Sequence, residues 1–184
     1  MVTIGTKIVM CGDYAVGKTT FVQLFLGGTV LTGYRATVGV DIGKKDLKVN
    51  SHNLIMQIWD LSGQQAFSTI RKQFYARADG AVLVYDCSRR ETFENVPRWM
   101  NEVIEKTGSI PCVLVANKID LRNTIPDPVT TSEGMKMSET LLKHSGNIAP
   151  LIEASALYLE NNLEPFQEIG RKIVERKEQH YQIR

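Results

Sequence analysis

The chain has 184 residues, 23 % of them charged, and a net charge of +2. That length suits one ordinary domain with a sizeable core. No Lys/Arg run is long enough to form a basic arm, so nucleic acid is not expected as a partner, and the longest apolar runs, such as residues 81–85, are far too short to span a bilayer.

In chain order, residues 4–11 read as a first strand, opened by MVTIGTKIVMCG, which has neither the apolar segment nor the cleavage site of a signal peptide. A helix follows over 18–27. Residues 45–49 and 54–59 form two strands joined by the short turn NSHN, a hairpin that puts one antiparallel strand at the sheet edge. Residues 81–85 and 112–116 are nearly continuous apolar strands, as expected of buried parallel ones. Between them Phe93, Val96, Met100, Val103 and Ile104 share a helical face, with Asn95 and Pro97 near its start and Gly108 at its end. Thr130 and Glu133 form a capping box for a helix that stops at Gly146. After a strand at 148–153, a last helix over about 162–178, opened by Asn162 and Pro165, buries Phe166, Ile169, Ile173 and Val174. Strands alternating with helices specify an α/β, doubly wound sheet, whose ligands bind beyond the carboxyl ends of the strands. Cys11, Cys87 and Cys112 lie in or beside apolar runs without any C-x-x-C, so they read as buried free thiols of a reducing cytosol.

Four loops that follow strands carry the chemistry. CGDYAVGKTTF, residues 11–21, matches the phosphate-cradling pattern G-x-x-x-x-G-K-[ST]. Gly12 and Gly17 allow the torsions that turn the N–H groups of Asp13, Tyr14, Ala15, Val16 and Gly17 toward phosphate oxygens. Lys18 adds charge, the Thr19 hydroxyl suits Mg²⁺, and the helix that begins with Lys18, Thr19 and Thr20 aims its positive end at the same anions. In WDLSGQ, Asp60 is placed to hold Mg²⁺ through water, Gly63 to approach a γ-phosphate and Gln64 to orient an attacking water. In NKID, the Asp120 carboxylate offers acceptors only, which suits the N–H groups of guanine and not adenine. Asn117 bridges strand and base, and the stem of Lys118 covers the base face. In EASAL, Ser155 and Ala156 offer backbone donors to the guanine carbonyl.

In this order and spacing the four loops resemble the Ras superfamily of small GTPases over nearly the whole chain. TVGVDI, QIWDLSGQ, FYARADGAVLVYD and ETFENVPRWMNEV are similar to stretches of the Rab branch. The resemblance implies one GTPase domain over 1–184, with a six-stranded, mostly parallel sheet and helices on both faces. It implies a first switch over about 30–41, with Thr37 covering Mg²⁺ and γ-phosphate and Tyr34 beside the nucleotide. A second switch would span about 60–76. Its implied ligands are GTP or GDP with Mg²⁺. Implied roles are catalysis by Gln64, Lys18 and Thr37, and metal binding by Thr19, Thr37 and Asp60. Exchange factors, GTPase activators and effectors are the implied partners of a cytoplasmic monomer.

Several positions depart from the family pattern. Leu157 stands in EASAL where a lysine is usual, and Gln65, Ala66 and Phe67 replace a charged sequence after Gln64. Ile42, Trp59 and Phe74 fall at the places of a Rab effector-contacting triad, although Ile42 is aliphatic; core packing of Trp59 and Phe74 is the alternative. Val30 replaces an aromatic residue that packs against guanine, which predicts fast nucleotide release. Arg35 is a candidate arginine finger or a solvated side chain. Tyr14 occupies a position that usually carries a small residue beside the γ-phosphate. No cysteine follows Cys112, which leaves membrane association open. A GTP-binding module with negligible hydrolysis remains an alternative, while NKID and EASAL would serve no purpose in a phosphotransferase.

Overall fold

β1 (Val2–Cys11) becomes fully buried only toward its carboxyl end, whereas β4 (Gly80–Asp86) and β5 (Cys112–Asn117) are buried throughout. Such apolar strands need cover on both faces. The computed structural model, which describes residues 2–29, 37–145 and 147–182, provides it. With β2 (Val40–Val49), β3 (His52–Leu61) and β6 (Ile148–Ala154) they form one six-stranded sheet in the order β2-β3-β1-β4-β5-β6. β2 runs antiparallel to β3; the other strands are parallel.

One face is covered by α1 (Lys18–Leu26) and α6 (Glu164–Gln182). There Phe25 and Phe166 stack with centroids 4.1 Å apart, in a core that includes Ile8, Met10, Ile58, Val82 and Ile169. The other face carries α2 (Ser68–Phe74), α3 (Arg90–Glu94), α4 (Val96–Thr107) and α5 (Thr131–Ser145), with Trp99, Met100, Val103, Val129 and Leu141 against Val9, Leu83 and Leu114. Cys11, Cys87 and Cys112 are free and buried, and burial pushes the Cys11 thiol up to about 12. Among the described residues no helix is long and apolar enough to cross a membrane.

Three local differences from the sequence expectation have physical causes. β2 begins at Val40 and not at 45, because an edge strand accepts Asp41, Lys44 and Asp46 on exposed positions. The hairpin turn tightens to Asn50 and Ser51, since Asn50 adopts a φ of 52°. The helix expected around Phe93–Ile104 is two helices that part at Asn95 (φ −80°, ψ −9°), whose side chain serves a distant partner instead of capping α4. The capping box forms as expected: Thr130 N–H donates to Glu133 Oε2 at 2.8 Å, and Glu133 N–H to Thr130 Oγ1 at 3.2 Å. Gly146, the expected stop, lies outside the described residues, and α6 extends beyond 178 to Gln182.

Because β1, β3, β4, β5 and β6 run in one direction, their carboxyl ends at Cys11, Leu61, Asp86, Asn117 and Ala154 fall along the same edge of the sheet. The loops that leave this edge build the site.

Candidate functional site

The first loop depends on its glycines. Gly12 has a φ of 139°, and a Cβ there would lie 2.1 Å from the Val84 carbonyl oxygen; at Gly17 (φ 102°) it would lie 2.2 Å from Asn117 Nδ2. Only a residue without a side chain fits either place. Ala15 is also left-handed, at φ 58°. Lys18 folds back under this loop and donates from Nζ to the carbonyls of Gly12 (2.9 Å) and Asp13 (2.8 Å). It is 6 % exposed, and burial lowers its pKa to about 8. A cation at the floor of a loop of N–H donors, at the start of a nine-residue helix, is chemistry for an anion.

Beside Lys18, three oxygen-bearing side chains from separate segments converge. The Thr19 and Thr37 hydroxyls are 2.8 Å apart, and they donate to Asp60 Oδ2 at 2.5 and 3.3 Å. Asp60 is 1 % exposed, its Oδ1 has no hydrogen-bond partner, and burial raises its pKa. A buried carboxylate oxygen left unsatisfied next to two hydroxyls fits a hard divalent cation such as Mg²⁺, which takes few protein ligands. No cluster of three or more His, Cys, Asp or Glu suited to a metal occurs among the described residues. Gly63 presses on the first loop: a Cβ there would lie 2.4 Å from the Asp13 carbonyl carbon and 2.5 Å from the Tyr14 nitrogen. Gln64 follows, half-buried, its N–H 3.4 Å from Ser62 Oγ.

On the far side, Asn117 joins three loops. Its Nδ2 donates to the Val16 carbonyl at 2.7 Å and its Oδ1 accepts from Ala156 N–H at 3.2 Å. Lys118 takes a left-handed φ of 63° and its Nζ pairs with Asp86 Oδ2 at 2.7 Å. Burial alone would raise the Asp86 carboxyl, but hydrogen bonds from Lys118, Ser88 and Arg89 outweigh it and hold the group below its ordinary value. Ser155 Oγ donates to Asp120 Oδ1 at 2.5 Å, which fixes the carboxylate that faces the expected base. Leu157 is 61 % exposed, in a turn closed by backbone bonds between Ser155 and Glu160.

The structure thus brings together Asp13, Tyr14, Ala15, Val16, Gly17, Lys18, Thr19, Thr20, Thr37, Asp60, Gly63, Asn117, Lys118, Asp120, Ser155 and Ala156 along one sheet edge. Tyr34, Val30 and Arg35 lie outside the described residues. The Asp13 side chain faces α4, where it accepts from Asn95 Nδ2 (2.7 Å), Trp99 Nε1 (2.8 Å) and Arg98 Nη2 (3.2 Å), so only its backbone is left for a ligand. Trp59 and Phe74 are half-buried with centroids 5.8 Å apart, and Ile42, opposite Trp59 in the hairpin, is 51 % exposed. Asp86, Arg89, Arg71 and Glu102 escaped the sequence reading. Asp86 alone left a signal, as the acid that ends an unbroken apolar strand.

A profile of the Ras family matches residues 7–175. The chain belongs to the Ras family. Its likeness to Ras-related protein Rab-19 of Mus musculus is 36 % identity over 177 residues, or 90 % of this chain and 81 % of the relative. Ras-related protein Rab-7a of Dictyostelium discoideum is 34 % identical over 173 residues, 91 % of this chain and 82 % of the relative. A Ras and EF-hand domain-containing protein homolog of Caenorhabditis elegans is 39 % identical over 136 residues, and the match spans only 22 % of that relative's length. This Ras-family protein is therefore a small GTPase near the Rab branch, and its sheet of five parallel strands and one antiparallel strand agrees with that fold.

Proposed function

We propose that the protein binds GTP and GDP with Mg²⁺, hydrolyses GTP to GDP and phosphate, and exchanges partner proteins according to which nucleotide it holds. The observation that carries this reading is the Lys18–Thr19–Thr37–Asp60 cluster: a buried cation 2.9 Å from the Gly12 carbonyl, beside a buried carboxylate oxygen that lacks a partner. Bound Mg²⁺ would neutralise phosphate charge in the reaction. Thr19 and Thr37 would offer it hydroxyls, and Asp60 would hold it through water. Lys18 stabilises charge on the transferred phosphoryl group, and Gln64 orients the attacking water. Backbone N–H groups of 13–18, with Thr20 at the start of α1, cradle the phosphates. Asp120, oriented by Ser155, selects guanine; Asn117, Lys118, Ala156 and Leu157 shape the base pocket, and Tyr34 of the first switch is a further nucleotide-binding residue.

In this reading 1–184 is one GTPase unit, with switches over about 30–41 and 60–76. Loss of the γ-phosphate releases Thr37 and Gly63, and exchange factors, activators and effectors read the result. Ile42, Trp59 and Phe74 would contribute to the surface that effectors contact, although Trp59 and Phe74 also pack against the core. The protein would act in the cytoplasm as a monomer, at the periphery of a membrane where a trafficking role applies. The decisive experiment identifies the nucleotide that copurifies and follows single-turnover GTP hydrolysis with and without Mg²⁺, in the wild type and in Gln64→Leu. The reading requires hydrolysis that Gln64→Leu slows at unchanged GTP affinity. A protein that holds GTP for days without turnover would instead be a binding module.

A further inference from the structure

Arg71 is 2 % exposed on a short helix whose other residues are exposed or half-buried. Burying a guanidinium is costly unless its donors are satisfied, and here they are. Nη1 donates to the carbonyls of Ser62 (2.9 Å) and Gln64 (3.2 Å). Nη2 donates to both oxygens of Glu102, at 3.3 and 3.1 Å, and Nε to Glu102 Oε2 at 3.3 Å and Tyr75 Oη at 3.2 Å. The guanidinium carbon sits 4.1 Å from the centroid of the Trp99 ring, and Trp99 Nε1 in turn donates to Asp13 at 2.8 Å.

Asn95, Arg98, Trp99 and Glu102 recur at helical spacing, so a single stripe beginning at the start of α4 holds both loops that flank the expected γ-phosphate. Asn95, Arg98 and Trp99 hold the phosphate loop through Asp13; Trp99 and Glu102 hold the Ser62–Gln64 segment through Arg71. The two loops also touch directly, since a Cβ on Gly63 would lie 2.5 Å from the Tyr14 nitrogen. One of the two carbonyls that Arg71 grips belongs to Gln64 itself. Rotation of that peptide would swing the Gln64 side chain away from wherever it must stand to place water.

We propose that Arg71 is a positioning residue for hydrolysis, fixing the backbone of Ser62–Gln64 against the phosphate loop with Glu102 and Trp99 as its support. The proposal rests on the reading of Gln64 as the water-placing group. Lysine at position 71 keeps the charge but loses the fork that reaches two carbonyls and a carboxylate together.

The test measures single-turnover GTP hydrolysis, GDP dissociation and the melting temperature of the GDP-bound protein. The variants are Arg71→Lys, Glu102→Gln, Gln64→Leu and the double variant Arg71→Lys/Gln64→Leu. Arg71→Lys should slow hydrolysis about tenfold or more while GDP dissociation stays within about twofold, and Glu102→Gln should act in the same direction more weakly. In the Gln64→Leu background, Arg71→Lys should cause no further loss, because its effect runs through Gln64. The proposal is overturned if Arg71→Lys hydrolyses at the wild-type rate, or if it slows both backgrounds by the same factor. It is also overturned if hydrolysis and GDP retention fall in parallel with melting temperature, which marks a role in folding alone. A wild-type rate in Gln64→Leu by itself removes the underlying role of Gln64, and that result is seen without any Arg71 variant.

Discussion

Ser155 holds Asp120: its hydroxyl lies 2.5 Å from Asp120 Oδ1, and Ser155 is fully buried. A carboxylate fixed on one oxygen presents the other in a set direction, which is what two adjacent N–H groups of guanine require. Ser155→Ala should weaken GDP binding about tenfold, the value of one hydrogen bond to a charged group, and leave the Mg²⁺ requirement unchanged. Asp120→Asn turns an acceptor into a donor and should shift preference toward xanthine nucleotides. Competition of GDP, XDP and ADP against a fluorescent guanine nucleotide measures both. Equal affinities for ADP and GDP in the wild type would rule out the guanine assignment.

Lys18 predicts a pH dependence of a defined sign. Burial lowers its pKa to about 8 from 10.5 in the ligand-free protein, and bound phosphates must raise it again. Below about pH 8 the lysine is charged with or without ligand, so affinity is flat. Above that value binding must take up a proton, and GDP affinity should fall by at most about tenfold per pH unit. The unfolded chain keeps its lysine proton to higher pH, so the ligand-free protein itself gains stability from this group between about pH 8 and 10.5. Calorimetric titration at pH 7.5 and 9 in buffers of different ionisation enthalpy reads the proton uptake directly. No uptake at pH 9 would mean that Lys18 is not the group beneath the phosphates.

What the sequence made legible follows from how local each signal is. β4 and β5 were readable because strands covered on both faces become continuous apolar runs. The start of β2 was not, since alternation with Asp41 and Lys44 on an edge strand looks like a loop. The break at Asn95 was only half legible. Asn95 and Pro97 mark a helix start, but apolar helical spacing runs back through it to Phe93. The Asn95 side chain is used 2.7 Å from Asp13, far along the chain. The phosphate loop, WDLSGQ, NKID and EASAL stood out as short motifs. Their supports did not: Arg71 meets Glu102, and Asp86 meets Lys118, only once the chain has folded. Asp13 matches its motif position, yet its carboxylate faces away from the site toward Trp99.

Gly63 supplies a steric prediction. A methyl group there would meet the Asp13 carbonyl carbon at 2.4 Å, and that neighbour is backbone, which has no rotamer by which to yield. Gly63→Ala must therefore separate the segment after β3 from the phosphate loop. GDP binding, which relies on Lys18 and Asp120, should stay within a few-fold of wild type, whereas single-turnover hydrolysis should drop at least about tenfold because Gln64 moves with Gly63. Hydrolysis at the wild-type rate would show that the two loops need not touch in the reaction.

Tyr14 leads to the last prediction. It is 42 % exposed, and its carbonyl accepts from Arg89 Nη2 at 2.8 Å, while Arg89 Nε is anchored on Asp86 Oδ2 at 3.0 Å. The backbone of Tyr14 is thus tied toward the segment after β4, and the strained torsion next to it belongs to Ala15, at φ 58°. The ring, at a position usually small in the family and beside the expected γ-phosphate, is expected to lie across the route of an arginine supplied by an activator. Such an arginine is worth on the order of 10³–10⁵ in rate, so even partial obstruction is expensive. The expectation is slow intrinsic turnover and a weak response to arginine-finger activators. Tyr14→Ala removes the ring without adding the backbone freedom of glycine, and Tyr14→Gly then reports what that freedom adds. Both should raise intrinsic hydrolysis or make it responsive to an arginine-finger activator, at unchanged GTP affinity. If both variants match the wild type with and without the activator, the ring is a bystander and the slow step lies elsewhere.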